Sequence, residues 1–118
     1  MLEERRMERS DQPADAARLY LKALAQRRDH ERVVLADRDG LLVVATDNEV
    51  DTEAVAAIAP LVAHDPTRHD GMLALMTRGA PLRVWNVELD GEAYYLAAVG
   101  GEEDTPRDAN ERLRRILL

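Results

Sequence analysis

The chain has 118 residues, which fits one compact domain with a single hydrophobic core. Sixteen Lys and Arg against 23 Asp and Glu give a net charge of -7, so nucleic acid and anionic membrane surfaces are disfavoured as partners. There is no cysteine or phenylalanine, which excludes disulfides and thiolate sites and predicts a core of aliphatic side chains.

The first 12 residues are rich in Glu and Arg and lack an apolar stretch, so they are interpreted as a charged tail or a helix extension. Residues 13–118 are predicted to form a single domain. An amphipathic helix is predicted over 13–29, with Pro13 at its first position and Asp11 as a cap. Its apolar residues recur at helical spacing: Ala16, Leu19, Tyr20, Ala23 and Leu24.

Two strands follow, at 32–36 and 41–46, joined by a tight turn at 37–40. Asp39 and Gly40 supply the Asp-Gly pair that is typical of such hairpins. Gly40 is expected at a positive φ, because the turn requires a backbone conformation that most side chains resist.

A second helix is predicted to begin at Asp51 or Thr52, either of which is a suitable cap. Its apolar face holds Val55, Ile58, Ala59 and Val62. Pro60 removes one backbone donor and crowds the carbonyl of Ala56, so we expect a kink or an early end near Ala59.

Three further strands are predicted at 72–77, 82–89 and 93–99, after a polar loop at 64–71. The composition of residues 90–92 is typical of a short turn, which predicts a hairpin between the last two of these strands. Alternation predicts that Trp85 shares one face of its strand with Val87 and Leu89, and that Tyr94 and Tyr95 point to opposite faces.

The last predicted helix has Thr105 as its cap and Pro106 at its first position. Its apolar face holds Ala109, Leu113, Ile116 and Leu117. The element order is therefore αββαβββα. Several strands are apolar at consecutive positions, which predicts an α+β fold with helices covering both faces of the sheet.

This order, the segment 34–43 and the small-residue helix at 52–63 resemble the roadblock / dynein light chain family, and the resemblance covers residues 14–118. It implies a profilin-like three-layer sandwich with a five-stranded antiparallel sheet in the order 2-1-5-4-3. The second helix would lie on one face and the terminal helices on the other.

The resemblance also implies a non-catalytic, cytoplasmic adaptor or regulator, of the bacterial type, that binds a Ras-like small GTPase and pairs with a second copy of itself. Edge-strand physics supports the homodimer, since 72–76 is an uncharged edge that a monomer would normally protect. The predicted interface holds Val55, Ile58, Ala59, Val62, Leu73 and Leu75.

Metal ligands are present near the end of the second helix, where His64, Asp65, His69 and Asp70 lie close together in sequence. Zinc binding is one interpretation of this group. The neighbouring Pro, Thr and Gly favour a solvated loop.

The acidic residues around the first hairpin suggest calcium but lack the spacing of a calcium loop, so turns and helix caps explain them better. They are Asp37, Asp39, Asp47, Asp51 and Glu53. The glycines form no phosphate-binding motif, and Ser10, the only serine, lies in the charged segment. No cofactor, metal or catalytic residue is predicted.

Two other functions fit a domain of this size. One is a ligand-sensing module of the PAS or GAF kind, which would need a core cavity of roughly 300 Å³. The other is a purely structural assembly subunit.

Overall fold

The computed structural model describes residues 2–65 and 77–118. The helices and strands in chain order are α1 (Leu2–Arg28), β1 (Arg32–Asp37), β2 (Leu42–Ala45), α2 (Val50–His64), β3 (Leu82–Leu89), β4 (Glu92–Val99) and α3 (Ala109–Leu117). Within these residues, no helix combines the length and the hydrophobicity that crossing a membrane requires.

The described strands form one antiparallel sheet in the order β2-β1-β4-β3. This order agrees with the first four positions of the predicted 2-1-5-4-3, since β3 and β4 are the fourth and fifth strands of that prediction. The sheet has four strands in the described residues, however, not five. The predicted strand at 72–77 lies outside the described residues except for Thr77, which is helical.

Helices cover both faces of the sheet, as predicted. Helix α2 packs on one face in a cluster of alanines and valines with one tyrosine: Val34, Ala36, Ala45, Val55, Ala56, Ala59, Tyr95, Ala97 and Val99. Helices α1 and α3 pack on the other face, where larger residues dominate: Tyr20, Leu21, Leu24, Val33, Leu35, Leu96 and Leu113. The consecutive apolar residues of β1 and β4 therefore serve both cores.

Helix α1 begins at Leu2, as in the helix-extension interpretation of the first residues, so Pro13 lies in its interior and not at its first position. It ends where Asp29 adopts a left-handed φ of 62° and the His30 N–H donates to the Ala25 carbonyl at 2.9 Å. This six-residue closure is the geometry of a Schellman cap, with Asp in the position that glycine usually takes.

The buried face of α1 also differs from the prediction. Ala16, Leu19 and Ala23 are exposed, and the buried residues are Ala17, Tyr20, Leu21 and Leu24. The sequence contains two overlapping apolar stripes. Both stripes contain Tyr20 and Leu24, and in the structure Ala17 and Leu21 are buried beside them. Because the two stripes share their largest residues, periodicity alone does not decide between them.

The turn between β1 and β2 is held by the carboxylate of Asp37. Its Oδ1 accepts hydrogen bonds from the N–H groups of Asp39 and Leu41, both at 2.9 Å. Gly40 has φ 82°, and a Cβ added there would lie 3.0 Å from the carbonyl oxygen of Ala57 in α2. The turn therefore needs glycine both for its conformation and for its contact with α2.

We expect Gly40→Val to lower the free energy of unfolding by roughly 1 kcal/mol or more, because a β-branched residue resists a positive φ and would press on Ala57. Gly79→Val is the matched control, since Gly79 has the same φ of 82° but no atom within 4 Å of its added Cβ. Urea unfolding of both variants would measure the difference. Equal losses would mean that the contact with α2 has no energetic role.

Pro60 does not end α2 at Ala59, contrary to the sequence-based expectation. The helix continues to His64, and the Asp65 N–H closes it by donating to the Leu61 carbonyl at 3.0 Å. Val62 beyond the proline is buried, as is Ala59 before it. We infer that this burial offsets the roughly 3 kcal/mol that an interior proline costs.

The start of α2 also differs from the prediction. Glu49 takes the cap position without a side-chain hydrogen bond to the helix, and neither Asp51 nor Thr52 acts as the cap residue.

The hairpin between β3 and β4 turns at Asp90 and Gly91, both at positive φ, as an Asp-Gly turn requires. Trp85 packs on the α1 and α3 side of the sheet, and Tyr94 and Tyr95 lie on opposite sides.

Helix α3 begins three residues later than predicted, with Asp108 at its cap. That carboxylate accepts a hydrogen bond from the hydroxyl of Tyr20 at 3.0 Å, so it links α3 to α1.

Candidate interaction surfaces

The centre of α2 carries no charge. Its residues 54–63 are all alanine, valine, isoleucine, leucine or proline, and the acidic residues lie only near the ends of the helix. A surface helix normally has a polar face, and a helix that is apolar all round is normally buried on all sides. The outer side of α2 is therefore a candidate interaction surface.

The structure divides the predicted interface residues into two groups. Val55 and Ala59 are fully buried in the cluster under the sheet, and Ile58 and Val62 are each 8% exposed. Val55 and Ala59 therefore hold α2 on the sheet within the monomer. Leu73 and Leu75 lie outside the described residues.

The outward stripe of α2 contains Ala57 and Leu61, and Leu61 is 48% exposed. Sequence analysis missed both residues because every central position of the helix is apolar, so periodicity could not separate the inner face from the outer. The absence of charge along 54–63 was the sequence feature that could have indicated an interaction surface on the outer side of this helix. A Cβ added at Gly40 would lie 3.0 Å from the Ala57 carbonyl oxygen, so the β1–β2 turn lies close to the backbone of α2 at Ala57.

A polar network fixes the start of α2. The Arg32 guanidinium lies between two acids: its Nε is 3.1 Å from Asp47 Oδ2 and its Nη2 is 3.0 Å from Glu49 Oε2. Asp47 Oδ1 accepts hydrogen bonds from the Glu49 N–H and the Thr52 hydroxyl. These bonds join β1 to the first turn of α2, so the network orients the helix on the sheet.

The same network sets the protonation of Asp47. Burial opposes its ionisation, but the hydrogen bonds from Thr52, Glu49 and Arg32 outweigh burial, so the pKa of this carboxyl lies below its ordinary value. The carboxylates of Asp37 and Asp47 are thus engaged in the turn and the network. This is the structural role that sequence analysis favoured over calcium binding.

The other candidate sites gain no support from the described residues. His64 and Asp65 are exposed at the end of α2, and His69 and Asp70 fall in 66–76, outside the described part of the chain. Among the described residues, no group of three metal-ligating side chains is brought together. A polar cleft of about 170 Å³ lies beside Arg32, and the larger spaces among the described residues, of about 550 and 600 Å³, are open surface grooves and not the core cavity that a ligand sensor requires.

Hydrogen bonds attach the end of α1 to the segment that connects β4 with α3. The His30 Nδ1 lies 2.6 Å from the Gly100 carbonyl oxygen, and the Arg28 Nε donates to His30 Nε2 at 3.2 Å. Arg28 also donates to the carbonyl of Asp104, and its guanidinium lies 5.5 Å from the centre of the Trp85 ring. These contacts require neutral His30 with its proton on Nδ1.

The pKa of His30 lies below its ordinary value of 6.5. Burial is the largest cause, and the Arg28 charge lowers the pKa further, while the bond to Gly100 opposes both. Glu102 and Arg83 act more weakly, in opposite directions.

Because the folded pKa of His30 is the lower one, the unfolded chain takes up the proton first as the pH falls. Stability is therefore full above the unfolded value near 6.5 and declines below it. We expect the melting temperature to fall between about pH 8 and pH 5, and His30→Gln to flatten this dependence. His64→Gln, at an exposed position, is the control. A variant lacking His30 that retains the whole decline would contradict this assignment.

The layers define an α+β protein with helices on both faces of an antiparallel sheet, and comparison with solved structures confirms the resemblance drawn from the sequence at the level of the fold. The chain is similar to the solved structure of the gliding protein MglB from Thermus thermophilus, with a TM-score of 0.53 and 19% sequence identity over 88% of this chain and 90% of that chain.

A second solved structure, MglB from Myxococcus xanthus, matches 80% of this chain and 89% of its own with 16% identity and a TM-score of 0.46. No family model and no curated protein matches significantly. Likeness at 19% identity establishes the fold alone, so function has to be inferred from the surfaces.

Proposed function

We propose that this chain is a non-catalytic, cytoplasmic adaptor or regulator that forms a homodimer and binds a Ras-like small GTPase. The observation that carries the proposal is the uncharged outer side of α2 on a fold similar to that of a gliding protein. The roadblock resemblance supplies the class of partner.

The second helix supports self-association for a physical reason. Ala57 and Leu61 are one helical turn apart, and alanines at neighbouring positions allow a second helix to approach closely. An antiparallel pair would keep the acidic starts of the two helices apart. Val55, Ile58, Ala59 and Val62 would support the interface from beneath, and Leu73 and Leu75 would extend it along a strand edge.

We expect the unmodified chain to be a dimer at micromolar concentration by light scattering. Leu61→Asp should give a folded monomer, because Leu61 is already half exposed and its replacement leaves the core intact. Leu19→Asp, on the opposite side of the molecule, should remain dimeric. Leu73→Lys and Leu75→Lys should each shift the chain towards monomer or insoluble material. A monomeric unmodified chain would rule out the dimer.

The partner is tested by purification from the native host, followed by identification of the co-purifying protein by mass. A Ras-like GTPase that is retained by the unmodified chain and lost with Leu61→Asp would support both parts of the proposal. Retention by the monomeric variant would support GTPase binding through another surface. The isolated chain should show no GTP binding in calorimetry, since the described loops and the sequence contain no phosphate-binding glycine motif.

A further inference from the structure

An apolar groove runs between α1 and α3, on the side of the molecule opposite α2. The exposed stripe of α1 forms one wall and α3 forms the other, and the groove encloses about 550 Å³. Its lining comprises Ala16, Leu19, Tyr20, Ala23, Arg27, Asp108, Arg112 and Ile116. Leu19 is 65% exposed, which is unusual for a leucine in the middle of a helix that packs on a core.

The groove has the dimensions of a helix-binding site. Its α1 wall extends from Ala16 to Arg27, about 16 Å at the rise of an α-helix. This length accommodates about three turns of a partner helix. An amphipathic helix docks in such a groove by placing apolar residues at i, i+3, i+4 and i+7 into it.

The polar groups of the groove leave it with positive charge. Asp108 is the acid in the lining, and it is already engaged: its Oδ1 accepts the Tyr20 hydroxyl and its Oδ2 lies 3.9 Å from Arg27. Burial and this bond to Asp108 raise the pKa of Tyr20, so the hydroxyl remains a donor. Arg112 lies over the Tyr20 ring at 5.6 Å, with its charge exposed at the rim.

The charge of the whole chain makes this face distinctive. The net charge is -7, yet residues 13–28 and 107–117 together carry eight Lys or Arg and three Asp or Glu. By contrast, residues 47–65, which include α2, carry five Asp or Glu and no Lys or Arg. The α1–α3 side is therefore the basic side of an acidic protein, and it attracts acidic partners.

We propose that the α1–α3 groove binds an acidic amphipathic helix of another protein. Leucine-type side chains of that helix pack against Leu19, Ala23 and Ile116, and its flanking carboxylates pair with Arg27 and Arg112. The surface is separate from the outer side of α2, so the chain holds a helical partner without releasing its other contacts. Binding here does not depend on the function proposed above.

The probe is a fluorescein-labelled peptide of about 15 residues, with four leucines at the i, i+3, i+4 and i+7 positions and with glutamate and alanine elsewhere. Fluorescence anisotropy at about 50 mM salt should show saturable binding that weakens at about 500 mM salt. Leu19→Glu and Arg112→Glu should each weaken binding at least tenfold. Leu41→Glu, whose leucine is also 65% exposed but lies in the β1–β2 turn, should change it less than twofold.

A peptide with lysine in place of every glutamate separates charge complementarity from hydrophobic contact, and it should bind at least tenfold more weakly. Equal binding of the two peptides, or binding that Leu19→Glu leaves unchanged, would overturn the proposal. Sedimentation with vesicles containing phosphatidylglycerol, lost in Leu19→Glu without any peptide binding, would assign the face to a membrane surface instead. Self-association lost in Leu19→Glu without peptide binding would assign it to a second copy, and either result would also overturn the proposal.

Discussion

Gly101→Ala is expected to lower the free energy of unfolding by roughly 3 kcal/mol or more. Gly101 has φ 76°, and a Cβ built on it would lie 2.3 Å from His30 Nδ1 and 2.5 Å from the Arg28 carbonyl oxygen. Part of the loss comes from the left-handed backbone, which costs an alanine about 1–2 kcal/mol. The rest of the loss comes from moving the end of α1 away from the segment that connects β4 with α3.

The atoms that the new methyl group would displace take part in the hydrogen bonds that attach the end of α1 to the segment between β4 and α3. The Arg28 carbonyl accepts the Glu102 N–H at 3.0 Å, and His30 donates to Gly100 beside it. Moving either group breaks a bond that is worth about 1 kcal/mol when formed and leaves a partly buried polar atom without its partner.

Gly91→Ala isolates the backbone contribution. Gly91 has φ 79°, almost the same as Gly101, but nothing lies within 4 Å of its added Cβ. Urea denaturation should therefore show a loss of about 1–2 kcal/mol for Gly91→Ala and a clearly larger one for Gly101→Ala. Equal losses for the two variants would mean that the segment between β4 and α3 can move away from α1 without loss of stability.

The sequence predicted the sheet and its layers well where local pattern and turn chemistry agree. The bounds of β3 were predicted without error, because alternation and two glycine-containing turns delimit that strand. The faces of Trp85, Tyr94 and Tyr95 followed from the same alternation. These features depend on neighbouring residues, so one sequence is sufficient to find them.

The features that the sequence did not reveal depend on contacts between distant residues. Arg32 meets Asp47 across a hairpin, and Gly101 meets His30 across most of the chain. Periodicity also fails when a helix offers more than one apolar stripe, as α1 and α2 both do. In α1 the stripe that the sequence favoured became a groove wall, and in α2 the outward residues were hidden among equivalent apolar ones.

Two leucines of α1 test which stripe the fold uses. Leu21, which belongs only to the observed stripe, is 0% exposed and packs in the core beneath α1 and α3, whereas Leu19, which belongs only to the predicted stripe, is 65% exposed on the groove side. We expect Leu21→Ala to lower the free energy of unfolding by about 2–5 kcal/mol, because it removes buried methyl groups and leaves a cavity. Leu19→Ala should change it by less than about 0.5 kcal/mol, since both residues favour helices and no core contact is lost. Both substitutions replace leucine by alanine in the same helix. If the two variants have equal m-values in urea unfolding, the difference between their free energies of unfolding therefore reports the difference in burial. The reverse order of losses would place the predicted stripe, and not the observed one, against the sheet.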